Sequence, residues 1–314
     1  MDKLSCLVTG VAGFVGSHLA ERLVEKGHLV TGLDSFTDYY RKSLKESNLS
    51  SLHKNPNFTF VEGDLNSVNL PKLLRSVEFI FHLSGQPGVR PSWGSSFNRY
   101  VNDNVMATQR LLETCKRTKI KKLVYASSSS IYGDAERLPT PEDVIPRPFS
   151  PYGTTKLAAE HLCQLYFRNF GVPTVALRYF TVYGPRQRPD MAFNKFISAI
   201  STGKTLEVNG DGSQSRDFTF VDDTVSANLL AMDARSGGIF NVGSGRTIAL
   251  NDALALLETI MGKKAKVIHR EAAAGDVRNT SADISRIESE LGYVPKMTLQ
   301  EGLKRQVSWQ LGTK

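Results

Sequence analysis

The residues predict an α/β architecture: a doubly wound parallel sheet followed by a smaller C-terminal α/β lobe. Three observations lead there. Strand-length apolar runs alternate with amphipathic helical stretches from the first residues onward. The turn after the first of these runs carries glycines in G-x-x-G-x-x-G spacing. At 314 residues, 40% of them hydrophobic, the chain is long enough to bury a large sheet domain and a second lobe.

Residues 4–9 form the first short apolar run. A glycine turn follows, then a helix to about residue 26 in which Val15, Leu19, Leu23 and Val24 recur at helical spacing. Gly27 supplies the stop. Stretches 28–33, 58–62 and 79–84 are β-branched or aromatic runs of strand length and read as strands two to four. A helix over 97–117 leads to strand five at 123–127, and a helix from 152 to about 170 leads to strand six at 175–180. Such alternation requires a parallel sheet with helices on both faces. Sheets of this kind bind ligands beyond the carboxyl ends of their strands. After Gly184 the pattern loosens: short strands at 206–208, 218–221, 239–242 and 266–269 mix with helices near 191–201, 223–233, 250–260, 283–291 and 298–311. The expected division is 1–184 for the sheet domain and 185–314 for a lobe partly interleaved with it.

Charge and cysteine usage narrow the function classes. The net charge is +8, but the basic residues are scattered. Lys119, Lys121 and Lys122 form the tightest cluster and read as a solvated helix-to-strand turn, so no nucleic-acid partner is expected. A positive balance suits ligands that carry diphosphates. Cys6, Cys115 and Cys163 are odd in number and lack a C-x-x-C pair. They imply no disulfide framework and no metal site, and they fit a reducing compartment. No apolar run approaches the ~20 residues of a membrane span, and the first strand begins at once. A cytoplasmic protein with no membrane partner is expected.

The glycine turn holds the first functional signal. Gly10, Gly13 and Gly16 allow a tight turn, close approach of a pyrophosphate and close helix–strand packing. Phe14 and Val15 open a helix whose N-terminus offers N–H groups to an anion. Asp34 closes strand two, 18 residues after Gly16, where a carboxylate accepts both ribose hydroxyls of an adenosine and repels a 2′-phosphate. NAD is therefore favoured over NADP. Asp64, with Leu65 beside it, follows strand three and is placed to meet the adenine.

A second cluster follows strand five, which ends in Ser127, Ser128, Ser129 and Ser130. Tyr152 comes 24 residues after Ser128, and Lys156 lies four residues further on a helix, so both side chains share one face. A free phenol, with its pKa near ~10, is a poor base at neutral pH. A neighbouring ammonium and a positive nicotinamide ring both favour the phenolate. That makes Tyr152 the expected general base, with Ser128 aligning the reacting hydroxyl. Lys156 is also expected to grip the nicotinamide ribose.

With these residues in view the chain resembles the extended short-chain dehydrogenase/reductase family, specifically its nucleotide-sugar epimerases, over nearly its whole length. The shared features are the Gly10/Gly13/Gly16 loop, His82-Leu83-Ser84-Gly85, Asn104, the Ser/Tyr/Lys set, the stretch 209–218 and Gly275-Asp276-Val277-Arg278. The resemblance implies a Rossmann-like sheet domain, NAD as cofactor and a UDP-sugar as substrate. It adds Leu83, Ser84, Gly85, Asn104 and Ser127 to the cofactor contacts, and assigns Arg216, Asp276 and Arg278 to the nucleotide. The helices near 97–117 and 152–170 are implied to form a four-helix homodimer contact.

Two segments, 179–192 and 86–94, are similar to the uronate branch, the UDP-glucuronate 4-epimerases. The chemistry explains why that branch differs. Oxidising C4 of a uronate makes a β-keto acid, which loses carbon dioxide when the breaking bond aligns with the carbonyl π system. Arg188 supplies a directional guanidinium, and Thr181 and Ser129 supply hydroxyl donors, to hold the carboxylate out of that alignment. Several readings stay open beside it: a UDP-glucose or UDP-N-acetylglucosamine 4-epimerase, a decarboxylating UDP-glucuronate enzyme, and an NAD-binding sensor without turnover. Thr280 bears on the first, because hexose-restricted relatives place a bulky Tyr there. Ser129-Ser130 argues against a dehydratase, which carries Asp-Glu at that point.

Overall fold

The computed structural model describes residues 3–271 and 273–312. The chain runs through β1 (Ser5–Thr9), α1 (Phe14–Glu25), β2 (Leu29–Asp34), α2 (Lys42–Asn48), β3 (Phe58–Glu62), α3 (Leu70–Leu73) and β4 (Phe79–His82). Next come α4 (Phe97–Tyr100), α5 (Ala107–Cys115), β5 (Lys122–Ser128), α6 (Pro151–Phe170), β6 (Thr174–Tyr179) and β7 (Thr181–Tyr183). The remainder comprises α7 (Ala192–Thr202), β8 (Thr205–Asn209), β9 (Ser215–Phe220), α8 (Val221–Leu230), β10 (Ile239–Val242) and β11 (Thr247–Ala249). It ends in α9 (Leu250–Met261), β12 (Lys266–Arg270), α10 (Ser285–Leu291) and α11 (Leu299–Leu311).

Seven strands form one parallel sheet in the order β10-β6-β5-β4-β1-β2-β3. Strand order reverses between β1 and β4, the crevice where doubly wound sheets take their ligands. Leu19, Leu23, Val225 and Phe240 belong to the core on one face of the sheet, and Leu111, Leu112, Ala159 and Cys163 to the core on the other. A third core, built around Phe193, Phe196, Phe218 and Leu254, fills the smaller lobe. Phe14, from the start of α1, packs into that third core and so joins the glycine turn to the smaller lobe. All three cysteines are buried and unpaired.

The structure departs from the expected elements in instructive places. The helix expected over 97–117 is interrupted by a π segment, Val101–Met106. Its extra residue per turn accompanies Asn104 turning inward onto Gln86 and Thr155. The chain leaves the large sheet at Phe180, whose N–H donates to Val242 O (3.0 Å), and enters β7 at once. Both β7 and β11 are three-residue strands, too short to show a period. β10 pairs with β6 inside the large sheet, so the sheet extends past residue 184 and the two parts of the chain interleave. The stretch expected as strand 218–221 ends at Phe220, and Val221 opens α8.

Candidate active site

One cavity of about 890 Å³ lies at the carboxyl ends of the strands, between the large sheet and the smaller lobe. Every residue singled out above for cofactor, catalysis or substrate lines it, with the exceptions of Arg278 and Thr280.

At the cofactor end, Gly10 N donates to Leu33 O (2.8 Å) and Gly13 N to Gly10 O (3.0 Å), which folds the turn back on itself. Gly10 sits at φ +70°, and a Cβ there would stand 2.8 Å from Ser84 N. A Cβ on Gly16 would collide with the Gly10 carbonyl oxygen. α1 then starts with no side-chain cap and no acidic residue in its first turn, which suits an incoming anion. Asp34 accepts from Ala12 N (3.0 Å) and Phe36 N (2.9 Å) at the edge of the same cradle. Burial raises its pKa, against the pull of those N–H groups and of Lys45. The Lys45 ammonium is itself tied to Thr37 O (2.7 Å). A glycine cradle too tight for side chains, an uncapped helix start and a carboxylate at the end of β2 together fit a dinucleotide.

The floor after β4 is braced by neutral groups. His82 is fully buried, its Nδ1 paired with Thr9 Oγ1 and its Nε2 with Thr108 Oγ1, each at 2.9 Å. Burial pulls its pKa down to about 3, so it stays uncharged. Ser84 N donates to Thr9 Oγ1 (3.2 Å). The Asn104 amide accepts from Gln86 N (2.6 Å) and donates to Thr155 Oγ1 (2.9 Å). Asn104 therefore ties the loop after β4 to α6, in addition to lining the cavity.

Ser150 caps α6, accepting from Gly153 N (3.1 Å), and Pro151 opens the helix. That start places Tyr152 in the first turn, within hydrogen-bond reach of the Ser128 hydroxyl at the end of β5. Burial raises the Tyr152 pKa, while the Ser128 hydrogen bond and the charge of Arg188 lower it. The charge of Arg188 therefore acts on the phenol, a contribution the sequence did not point to. The Lys156 ammonium lies 4.5 Å from the centre of the Tyr125 ring and is only 7% exposed.

Burial pulls the Lys156 pKa down to about 8. Between that value and the ordinary lysine range the unfolded chain holds more protons than the folded one, so stability rises with pH across this window. Lys156→Met is expected to stabilise the ligand-free protein at neutral pH by up to about 3 kcal/mol. Urea midpoints for variant and wild type should converge as pH rises from 8 toward 10. A gap that widens over that range would contradict the buried-ammonium assignment.

At the opposite end, Arg188 makes a two-bond ion pair with Asp190, through Nε (3.0 Å) and Nη2 (3.0 Å). Arg216 is tied down by three carbonyls: Ser215 O (2.8 Å), Arg278 O (3.0 Å) and Val277 O (2.7 Å). Asp276 pairs with Arg90 at 2.7 Å. The Arg278 side chain is exposed and stands outside the cavity, and its backbone N–H donates to Asp134 Oδ1 (3.2 Å). Thr181 and Ser129 line the same cavity.

Arg90, Tyr39 and Asp190 line the cavity without having been assigned a role from sequence. Arg90 and Asp190 lie inside motifs that the sequence did mark, but their pairing hid the signal. Arg90 meets a partner 186 residues away, and Tyr39 meets Asp190 across 151 residues. Among the described residues no cluster of His, Cys, Asp or Glu is placed to hold a metal ion. No helix among them is long and apolar enough to cross a membrane.

The model of the NAD dependent epimerase/dehydratase family matches residues 6–243. A Bacillus subtilis protein described as an uncharacterized UDP-glucose epimerase, YtcB, is 43% identical over 98% of each chain. A UDP-glucuronate 4-epimerase of Thermodesulfobacterium geofontis is 39% identical, over 96% of this chain and 95% of its own. The crystal structure of UDP-glucuronic acid 4-epimerase from Bacillus cereus, in complex with UDP-glucuronic acid and NAD, is similar with a TM-score of 0.96. It is 42% identical, and the match covers 98% of this chain and 99% of that one.

Proposed function

The chain belongs to the NAD dependent epimerase/dehydratase family, and on that premise we propose that it inverts C4 of a UDP-sugar, interconverting UDP-glucuronate and UDP-galacturonate with NAD as cofactor. The observation that carries this reading is the guanidinium of Arg188 lining the same cavity as Ser128, Tyr152 and Lys156. A hexose would bring a C6 hydroxyl to such a group. A uronate brings a carboxylate, which a planar guanidinium binds through parallel hydrogen bonds. The relatives named for UDP-glucuronate support the same choice.

In this mechanism the Gly10–Gly16 turn and the start of α1 hold the cofactor's pyrophosphate, and Asp34 takes its adenosine ribose. When bound, NAD supplies a reversible hydride acceptor for C4 and a positive ring beside the phenol. Ser128 aligns the C4 hydroxyl while Tyr152 removes its proton, and Tyr152 later returns a proton to the same oxygen. Lys156 donates to the cofactor's nicotinamide ribose. Arg188, Thr181 and Ser129 grip the sugar carboxylate, and Arg216 and Arg90 meet the diphosphate. A ketone that turns over about its diphosphate link regains hydrogen on the opposite face, so C4 is inverted.

Purified protein given UDP-glucuronate and no added reductant is expected to form UDP-galacturonate. UDP-glucose and UDP-N-acetylglucosamine, run in parallel, should turn over at least tenfold more slowly, a gap on the order of one lost charged hydrogen bond. Faster inversion of either neutral sugar would move the assignment to a hexose epimerase. A UDP-pentose as main product would move it to a decarboxylating enzyme.

The same reading extends to organisation. Residues 1–184, completed by α8 and β10, serve the cofactor, and most of 185–314 serves the nucleotide sugar. Met106, Leu165 and Phe170, on or beside α5 and α6, are 50%, 53% and 56% exposed, and a second copy of the chain is their proposed cover in a homodimer. Native mass spectrometry tests that assembly. The three buried, unpaired thiols suit a cytoplasmic setting.

A further inference from the structure

Arg188 does not stand free in the cavity. Its Nε donates to Asp190 Oδ1 and its Nη2 to Asp190 Oδ2, each at 3.0 Å, so one whole edge of the guanidinium is engaged. Asp190 is held in turn: its Oδ2 accepts from the Tyr39 hydroxyl at 3.1 Å. The Tyr39 ring also approaches the guanidinium, 5.8 Å from Cζ to ring centre. These contacts join the loop after β2 to the loop after β7. They leave Nη1 and the second hydrogen of Nη2, the end-on edge of the fork, for another acceptor. That leftover edge belongs to the arginine whose charge reaches the Tyr152 phenol.

We propose that Asp190, steadied by Tyr39, is a positioning residue that fixes the plane of the Arg188 guanidinium, so that its end-on edge holds the substrate carboxylate in one direction and prevents its loss. The inference rests on the uronate reading given above. A cation on a mobile side chain attracts a carboxylate from many directions. A guanidinium pinned along one edge offers the other edge in a single plane. Direction matters because the side reaction depends on it. When the C5–C6 bond lies parallel to the C4 carbonyl π system, that bond breaks and carbon dioxide departs. The electron pair passes into an enolate with its oxygen at C4, and a proton taken up at C5 gives the 4-ketopentose. No further oxidant is needed once the C4 ketone exists.

The test compares wild type, Asp190→Asn and Tyr39→Phe as full-length enzyme with NAD and UDP-glucuronate, analysing sugar-nucleotide products by mass spectrometry alongside kcat and KM. Asp190→Asn keeps the size of the side chain and removes its charge. It is expected to raise the decarboxylated fraction of product roughly tenfold or more, since small misplacements at a reacting centre carry large rate consequences. Tyr39→Phe should shift the fraction the same way by less, and it carries the test alone should Asp190→Asn not fold. Asp190→Glu, which restores the charge, should recover part of the product purity. Unchanged purity in both Asp190→Asn and Tyr39→Phe would overturn the proposal. So would a lower KM with clean product, which would make Asp190 a competitor of the substrate carboxylate. Wild type that fails to invert UDP-glucuronate removes the uronate reading and this proposal with it. Wild type that inverts cleanly beside equally clean variants removes only the positioning role.

Discussion

Tyr152→Phe is expected to lower kcat by about 10²–10⁴-fold, the usual worth of a positioned acid–base group. The replacement removes one oxygen and little else. The ring would still meet Tyr100 edge-on, with ring centres 6.2 Å apart, and the start of α6 would still be capped by Ser150. Ser128 cannot substitute, because its oxygen already accepts from Ser130 N (3.1 Å) and a serine hydroxyl is a far weaker acid than a phenol. KM for the sugar nucleotide and the thermal midpoint should stay close to wild type. That pattern separates lost chemistry from lost binding or folding. A fall of less than tenfold in kcat would place the proton-transfer group elsewhere. The shift of the phenol also predicts where the base form arises. Burial raises the Tyr152 pKa, so the ligand-free protein should hold a neutral phenol, and the phenolate should become accessible only with a positive group bound beside it.

The largest stability effect is expected beneath the site. Arg178 on β6 and Glu160 on α6 form an ion pair whose side chains are only 4% and 2% exposed. Arg178 donates from Nη2 to Glu160 Oε1 (2.6 Å) and from Nη1 to the Tyr132 hydroxyl (2.7 Å) and Glu142 O (3.0 Å). Glu160 also accepts from Ser127 Oγ (2.6 Å), and Tyr132 donates to Asn241 Oδ1 (2.7 Å). Ser127 directly precedes the Ser128 that meets the Tyr152 phenol, and Glu160 lies one helical turn after Lys156. The network therefore links the end of β5, the helix carrying Tyr152 and the neighbouring β10. Glu160→Gln leaves a buried guanidinium without its counter-charge, and that should cost about 3–5 kcal/mol in denaturant unfolding. Replacing both partners by apolar residues of similar size should cost less than the sum of the single changes, because no lone charge is left behind. A single-variant cost below about 1 kcal/mol would show that water reaches the pair and that it is not a structural tie.

Much of this protein was legible from short stretches of chain. Gly10 and Gly16 announce their turn because Gly10 takes a left-handed backbone and a Cβ on either would collide with neighbouring backbone atoms. Tyr152 and Lys156 share a face because residues four apart on a helix must. Asp34 ends β2 wherever the strand ends, and the alternation of strand and helix leaves few arrangements besides a parallel sheet. These features follow from local sterics, hydrogen-bond geometry and periodicity, which a few consecutive residues fully specify.

Other features emerged only once distant segments met. The guanidinium that shares a cavity with Tyr152, its pinning by Asp190 and Tyr39, the exclusion of Arg278 from the cavity and the buried Arg178–Glu160 tie all depend on side chains brought together by the sheet order. So does the place of β10, whose four residues read as part of the smaller lobe until β6 offers them a partner. An arginine's spelling is the same whether it points to solvent, to a carboxylate or to a phenol. Its role is set by which opposite charge the fold delivers to within about 3 Å and by how much water is shut out, and neither quantity exists before the chain has closed on itself.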